Sequence, residues 1–127
     1  MIQEKMNFTL EIDQNERTIR VKATCQLNQV IRKEILLAIA SKLKELDYSR
    51  ALIDLTETSF DYYVPNTGAS ELVAYMLSIG IPSHAKLAFI YSEAESHRKH
   101  YENVSQNAGY NVRYFKKLND AKAWLKD

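Results

Sequence analysis

The sequence predicts an α/β fold, in which a mixed, mostly parallel sheet is covered by helices. Three observations lead to this prediction: two short alternating segments flank a polar turn near the N-terminus, short apolar segments then alternate with amphipathic ones, and glycine and proline stand between them. The predicted order of elements is ββαβαβαβα. The 127 residues, 46% of them hydrophobic, fit a single domain, residues 1–127, that can bury a core.

The first two strands are predicted from alternating apolar residues. Segments 6–12 and 17–25 each place every second side chain on one face. The polar residues between them favour a turn, so the two segments should form an antiparallel hairpin. The residues expected to face the core are Phe8, Leu10, Ile12, Ile19, Val21 and Ala23.

A long helix and a buried strand follow the hairpin. Asn28 is a suitable N-cap for a helix that extends through Asp47. Apolar residues recur along it at spacings of three and four, which predicts an amphipathic helix. The short apolar segment 50–55 is typical of a buried parallel strand. The helical stripe consists of Ile31, Ile35, Ile39, Leu43 and Leu46.

The second helix and the next strand are delimited by glycine, proline and a capping motif. Gly80 is expected to end the helix in a left-handed conformation, and Pro82 prevents its continuation. Residues 86–91 predict another buried strand. Ser92 and Glu95 match a capping box that would open the third helix. The apolar residues of the second helix are Leu72, Val73, Met76, Leu77 and Ile79.

The C-terminal part of the chain predicts one more strand and one more helix. The third helix should stop at Gly109, and residues 112–115 should form the last strand. Asn119 is predicted to cap a short final helix. Trp124 is expected to seal that helix onto the sheet.

Composition restricts the classes of function. A formal net charge of +1 gives no general electrostatic argument for binding nucleic acid or an anionic membrane. Cys25 is the only cysteine, which excludes an internal disulfide and favours a reducing compartment and a packed thiol. The first residues are too polar for a signal peptide, and no apolar segment is long enough for a membrane span. We therefore expect a cytoplasmic protein.

Two stretches resemble a known family. The segment Ala51-Leu52-Ile53-Asp54-Leu55 is similar to the central strand of STAS-like, or SpoIIAA-like, proteins, which ends in an Asp-Leu pair. The C-terminal segments 109–115 and 119–125 are similar to those of a largely uncharacterised bacterial subgroup of STAS/SEC14-like proteins. Together with the order of elements, the resemblance implies a STAS-like regulatory or protein-interaction module and not an enzyme.

The resemblance also implies a candidate switch. In the best-known branch of the family, a partner kinase phosphorylates a serine or threonine in an Asp-Ser-(Ser/Thr)-Gly motif at the start of the helix after the central strand. Thr67 and Gly68 match the end of that motif, whereas the residues before them depart from it. Thr67 and Gly68 are therefore the candidate phospho-switch or phosphate-binding site. The alternative is that Thr67 or Asn66 only caps the helix.

The connection before this helix is the candidate binding loop. Asp61, Tyr62, Tyr63 and Asn66 follow the carboxyl end of a central strand, where ligand sites of open α/β sheets occur. Adjacent tyrosines there would anchor a protein partner or line a pocket. The alternative is that one tyrosine packs over the core and the other is an ordinary surface residue. Because related SEC14-like proteins bind lipids, a small apolar ligand is the second functional hypothesis.

The remaining reactive residues favour structural roles. Asp54 is expected to accept bonds from amides of the following loop. Glu93, His97 and His100 share one helical face, which is expected to be solvated. The alternative for these three is a metal site of two imidazoles and a carboxylate. An enzyme would require Asp54, Asp61 or His97 to converge in one cleft. No catalytic motif is found, so we expect no catalytic residue, metal or cofactor. A homodimer remains open, since small regulatory domains often pair.

Overall fold

The computed structural model describes residues 2–4, 7–60, 68–91 and 98–127. Within these ranges the predicted order of elements is confirmed, with three short strands added. The strands are β1 (Ile2–Glu4), β2 (Phe8–Asp13), β3 (Thr18–Ala23), β4 (Gln26–Leu27), β5 (Arg50–Asp54), β6 (Ser59–Phe60), β7 (Lys86–Ile90) and β8 (Asn111–Phe115). The helices are α1 (Gln29–Leu46), α2 (Gly68–Ser78), α3 (Arg98–Asn107) and α4 (Leu118–Lys126).

Six strands form one mixed sheet in the order β1-β2-β3-β5-β7-β8. The predicted hairpin is present as the antiparallel pair β2 and β3, and β1 adds a further antiparallel strand beside β2. From β3 onward every neighbouring pair is parallel, as expected when a helix connects each strand to the next. The short strands β4 and β6 pair with each other in a separate parallel ladder.

The main core lies between the first face of the sheet and α1, α2 and α3. Parallel register aligns Ile19 with Ala51, Leu87 and Val112 across four strands. These side chains are at most 3% exposed and pack against the predicted stripe of α1, in which Ile39 is fully buried. The helices thus cover the apolar face that the alternating pattern predicts.

The second face of the sheet is covered by α4, which contacts β5, β7 and β8. Ala121 and Leu125 of α4 pack on Leu52, Ala88 and Ile90 to form a smaller, separate core. On β2 and β3 the same face carries polar side chains, with Glu11 and Lys22 exposed and Arg20 half-buried. This part of the face remains open to solvent, as is common in antiparallel sheets.

The predicted ends of α1, α2 and α3 are confirmed where the structure describes them. The side-chain oxygen of Asn28 accepts a hydrogen bond from the Ile31 N–H at 2.9 Å, and Asp47 closes α1 in the left-handed conformation. Gly80 (φ +79°) and Gly109 (φ +92°) follow α2 and α3 in the same left-handed region. The Ile81 N–H then bonds to the Met76 carbonyl, and the Tyr110 N–H to that of Ser105, as in a Schellman cap.

The predicted cap of the last helix is wrong. Lys117 is the N-cap of α4 with extended backbone, and its carbonyl accepts the Ala121 N–H at 3.2 Å. Asn119 therefore lies inside the first turn. Ala121 and Leu125, four residues apart, face the sheet.

Other predictions have mixed outcomes. In α2, Leu77 points to solvent with 65% exposure, whereas Leu72 and Met76 are buried. Cys25 packs against the main core, as expected. The predicted capping box, Ser92 and Glu95, lies outside the described residues.

Trp124 seals α4 onto the sheet, as predicted. Its ring lies 5.6 Å from that of Phe115, centroid to centroid. The Lys86 ammonium lies 5.3 Å from the Trp124 ring and donates hydrogen bonds to the carbonyls of Trp124 and Asp127. A lysine of β7 thereby binds the C-terminal end of α4, where a positive charge is favourable.

Side chains of α3 cover the outer edge of β8. In a parallel pair, alternate residues of an edge strand direct their N–H and C=O groups away from the neighbouring strand. At two such positions, the Gln106 amide donates to the Val112 carbonyl at 3.0 Å, and the Glu102 carboxylate accepts the Tyr114 N–H at 2.7 Å. These contacts satisfy backbone groups that an exposed edge would leave to water or another strand.

Candidate functional site

Most of the predicted site lies outside the described residues. Asp61, Tyr62, Tyr63, Asn66 and Thr67 all belong to the undescribed range 61–67. Of the predicted site, the structure describes Gly68, which is buried and is the first residue of α2. The surroundings of the site are therefore built from the residues on either side of 61–67.

The chain before the candidate loop is held by local hydrogen bonds. The Asp54 carboxylate accepts the Thr56 N–H at 2.9 Å and the Thr56 hydroxyl at 2.6 Å. The Thr58 hydroxyl donates to the Leu55 carbonyl at 2.6 Å. The Ser59 N–H donates to the Cys25 carbonyl at 3.1 Å, beside the short β4–β6 ladder. The predicted structural role of Asp54 is confirmed.

The chain after the candidate loop is held by α1. The Gln29 side-chain amide donates to the Gly68 carbonyl at 2.8 Å, and the Lys33 ammonium lies 3.1 Å from the Glu71 carboxylate. The same ammonium is 5.5 Å from the centre of the Tyr75 ring. The first turns of α1 and α2 are thus joined side by side. Sequence reasoning missed Gln29, because a pairing across 39 residues leaves no local pattern.

The electrostatics at the start of α2 have two opposing contributions. The free amides and the dipole of the helix favour an anion at this end. Glu71, in the first turn of α2, opposes a second negative charge, and Lys33 offsets part of that opposition. A phosphate on Thr67, the residue just before α2, would be attracted by the helix amides and Lys33 and repelled by Glu71.

An apolar cavity of about 40 Å³ lies between the sheet and helices α1, α2 and α3. Its lining includes Leu55 near the carboxyl end of β5, Leu72 of α2 and Tyr101 of α3. The Arg32 guanidinium lies 4.6 Å from the Tyr101 ring centre. A volume of this size has room for roughly three water molecules.

The remaining reactive groups are described in part. His97 and Glu93 lie outside the described residues, and His100 is exposed on α3. Among residues 7–60, 68–91 and 98–127, no three histidine, cysteine or carboxylate side chains are grouped to hold a metal ion. Burial raises the pKa of the Cys25 thiol, and the nearby Glu34 carboxylate acts in the same direction. This thiol is therefore a poorer nucleophile at neutral pH than a free one.

The strand order, the three helices on one face and the single helix on the other define a SpoIIAA-like fold. The crystal structure of an uncharacterised protein of the DUF3478 family from Shewanella loihica PV-4, described as SpoIIAA-like, shares this fold. The two chains align over 98% of each with a TM-score of 0.58 and 19% sequence identity. This confirms the fold that the sequence resemblance implied.

The sequence comparisons add no further assignment. No protein-family model matches this chain, and no curated protein matches it. Within the described residues, no helix combines the length and apolar character needed to cross a membrane.

Proposed function

We propose that this chain is a non-enzymatic, cytoplasmic STAS-like module that binds a protein partner at the start of α1 and α2 and through the connection between β6 and α2. The observation that carries the proposal is the exposure of Val30, 65% of whose surface is accessible. Val30 directly follows Gln29, the residue bonded to Gly68. An apolar side chain is thus exposed in the first turn of α1, one residue from the glutamine that holds the start of α2.

A further apolar side chain extends this surface. Leu37, seven residues after Val30, lies on the same face of α1 and is 50% exposed. Interfaces between proteins have an apolar centre and a polar rim. Here the ion pair of Lys33 with Glu71 supplies polar groups beside the apolar ones.

We further propose that phosphorylation of Thr67 regulates this binding. A phosphate would bring close to two negative charges to the place where α1 and α2 are joined. The Lys33 ammonium and the Gln29 amide would be drawn toward it and away from Glu71 and Gly68. The partner would then meet a surface of different charge and shape.

The test is quantitative affinity capture from cells of the source organism with the wild-type chain, Val30→Glu, Thr67→Glu and a control, Leu118→Glu. Leu118 is an exposed apolar residue of α4 on the other face of the sheet. We expect Val30→Glu and Thr67→Glu to reduce capture of a specific partner at least about tenfold, because a buried charge without a partner costs several kcal/mol at an interface. Leu118→Glu should retain capture. Equal capture by all four proteins would contradict the proposal.

A small-molecule or lipid-binding domain is the second candidate function. The cavity beneath α1, α2 and α3 supports it through its apolar lining, but its volume of about 40 Å³ is well below the roughly 300 Å³ at which ligand pockets begin. Native mass spectrometry of the purified protein tests this candidate. A bound mass that disappears on denaturation would favour it over the partner-binding proposal.

A further inference from the structure

A concave trough follows the flank of α4 on the open part of the second sheet face. It consists of two adjoining cavities, of about 100 Å³ and about 280 Å³, which share Arg20 and Leu52 as lining residues. The smaller cavity lies toward the amino ends of the strands, beside Thr18 and Arg50, and the larger lies toward their carboxyl ends. Arg20 stands at the junction.

The smaller cavity has an excess of positive charge. Its two carboxylates, Asp13 and Glu16, already have partners, since Asp13 accepts the Glu16 N–H at 3.1 Å and Glu16 lies 3.7 Å from the Lys126 ammonium. Four positive side chains against two negative ones leave a net charge of about +2 in a recess. The four are Arg20, Arg50, Lys122 and Lys126.

Arg20 is the cation best placed to bind a ligand. It lies directly opposite Glu11 on β2 and beside Leu52 on β5. Arg20 is half-buried, and within the described part of the chain it makes no hydrogen bond or ion pair. A guanidinium presents five donors in a planar arrangement that matches the oxygens of a carboxylate or phosphate.

The larger cavity suits the uncharged part of a ligand. The Asp54 carboxylate that borders it is occupied by Thr56, and Lys22 lies 3.4 Å from Glu57. Glu11 adds a negative charge to the lining of the larger cavity. The apolar part of the lining is formed by Leu52, Ile90 and Leu118, the last of which is 39% exposed at the rim.

From these observations we propose that the trough binds a small organic anion. Its phosphate or carboxylate head lies in the basic recess against Arg20 and Lys122, and its body extends over Leu52 toward Leu118. The site is on the opposite face of the sheet from Val30 and the start of α2. It is therefore independent of the proposed partner surface, and either proposal can fail without the other.

The test is a titration followed by two-dimensional ¹H–¹⁵N NMR at low ionic strength. The probes are phenyl phosphate, benzoate and, as an uncharged control of similar shape, benzyl alcohol. We expect saturable shifts in the backbone amides of β3 and the first turn of α4 with one or both anions and none with benzyl alcohol. The anion that binds more tightly identifies the head group.

Variants assign the binding to Arg20. Arg20→Gln should weaken binding at least about tenfold, the usual effect of losing a charged hydrogen-bond donor, and Lys122→Gln, on an exposed part of α4, should weaken it about threefold. Lys44→Gln, which removes an exposed charge from α1, should leave it unchanged. If Arg20→Gln fails to fold, the affinity of Lys122→Gln for the anion is the test of the proposal. Absence of saturable shifts at β3, or equal affinity in wild type and Lys122→Gln, would overturn the proposal.

Discussion

Replacement of Glu102 tests whether α3 stabilises the edge of the sheet. The Glu102 side chain is 14% exposed, and its carboxylate accepts the Tyr114 N–H at 2.7 Å and lies 3.4 Å from the Lys99 ammonium. A hydrogen bond to a charged group contributes about 1.5–3 kcal/mol, and removing the acceptor of a buried N–H costs a similar amount. We expect Glu102→Leu to lower the free energy of unfolding by about 2 kcal/mol. Glu102→Gln, which keeps an acceptor oxygen, should lower it by about 1 kcal/mol.

The measurement is urea unfolding followed by circular dichroism, with thermal unfolding as a second readout. For a chain of this size, 2 kcal/mol corresponds to a decrease in Tm of about 8 °C. The matched control is Glu45→Leu, which also removes an ion pair between residues three apart, with Lys42, but from a carboxylate side chain that is 59% exposed. A pair whose carboxylate is this exposed contributes at most about 1 kcal/mol. If Glu102→Leu were no more costly than Glu45→Leu, the edge-covering role would be refuted.

Three further predictions concern the core, a helix end and the thiol. Ile39 is fully buried, so Ile39→Ala should destabilise the protein by about 2–5 kcal/mol in urea unfolding, whereas Leu37→Ala on the exposed face should change stability by less than about 1 kcal/mol. Gly80 has φ +79°, where an L-residue costs roughly 1–2 kcal/mol. Gly80→Ala should therefore lower Tm by several degrees, and an unchanged Tm would contradict this prediction. Because burial raises the pKa of Cys25, less thiolate is present at pH 8 than in a free thiol, and alkylation of Cys25 should be slower in the folded protein than in the unfolded chain. The contribution of this thiol to the free energy of unfolding is fully present below the pKa of the unfolded thiol. It is lost as the pH rises through the higher pKa of the folded state.

The order of the main elements could be predicted because each has its own periodicity. The alternation around Ile19 and the three-and-four spacing around Ile39 are local signals, and both sets of side chains are buried in the main core or packed against it. β1, β4 and β6 have at most three residues each, which is too short for a period to be recognised. β1 adds to the neighbouring β2, whereas β4 and β6 pair with each other across a long stretch of chain, so that tertiary contacts determine them.

The start of α4 shows the limit of a local rule. Asn119 is a good capping residue by type, but α4 begins at Leu118 after Lys117, which makes no side-chain cap bond. No residue type in the sequence indicates this start.

Less of the candidate site could be predicted than of the fold. The role of Asp54 follows from its place at a strand end, and the structure confirms it. The bond from Gln29 to Gly68 joins residues far apart in sequence, and the position of Arg20 between two cavities depends on which strands α4 covers. The tyrosine loop and Thr67 remain predictions, since they lie outside the described residues.

The separate small core beneath α4 has a consequence for hydrogen exchange. Few apolar side chains join α4 to the sheet, and the Lys86 ammonium holds its C-terminal end. Elements with few buried contacts open locally at a lower free energy than global unfolding requires. The amides of α4 should therefore exchange as one cooperative unit before those of β5 and β7. Each such opening would briefly uncover Leu52, Ala88 and Ile90 while the helices on the other face stay in place.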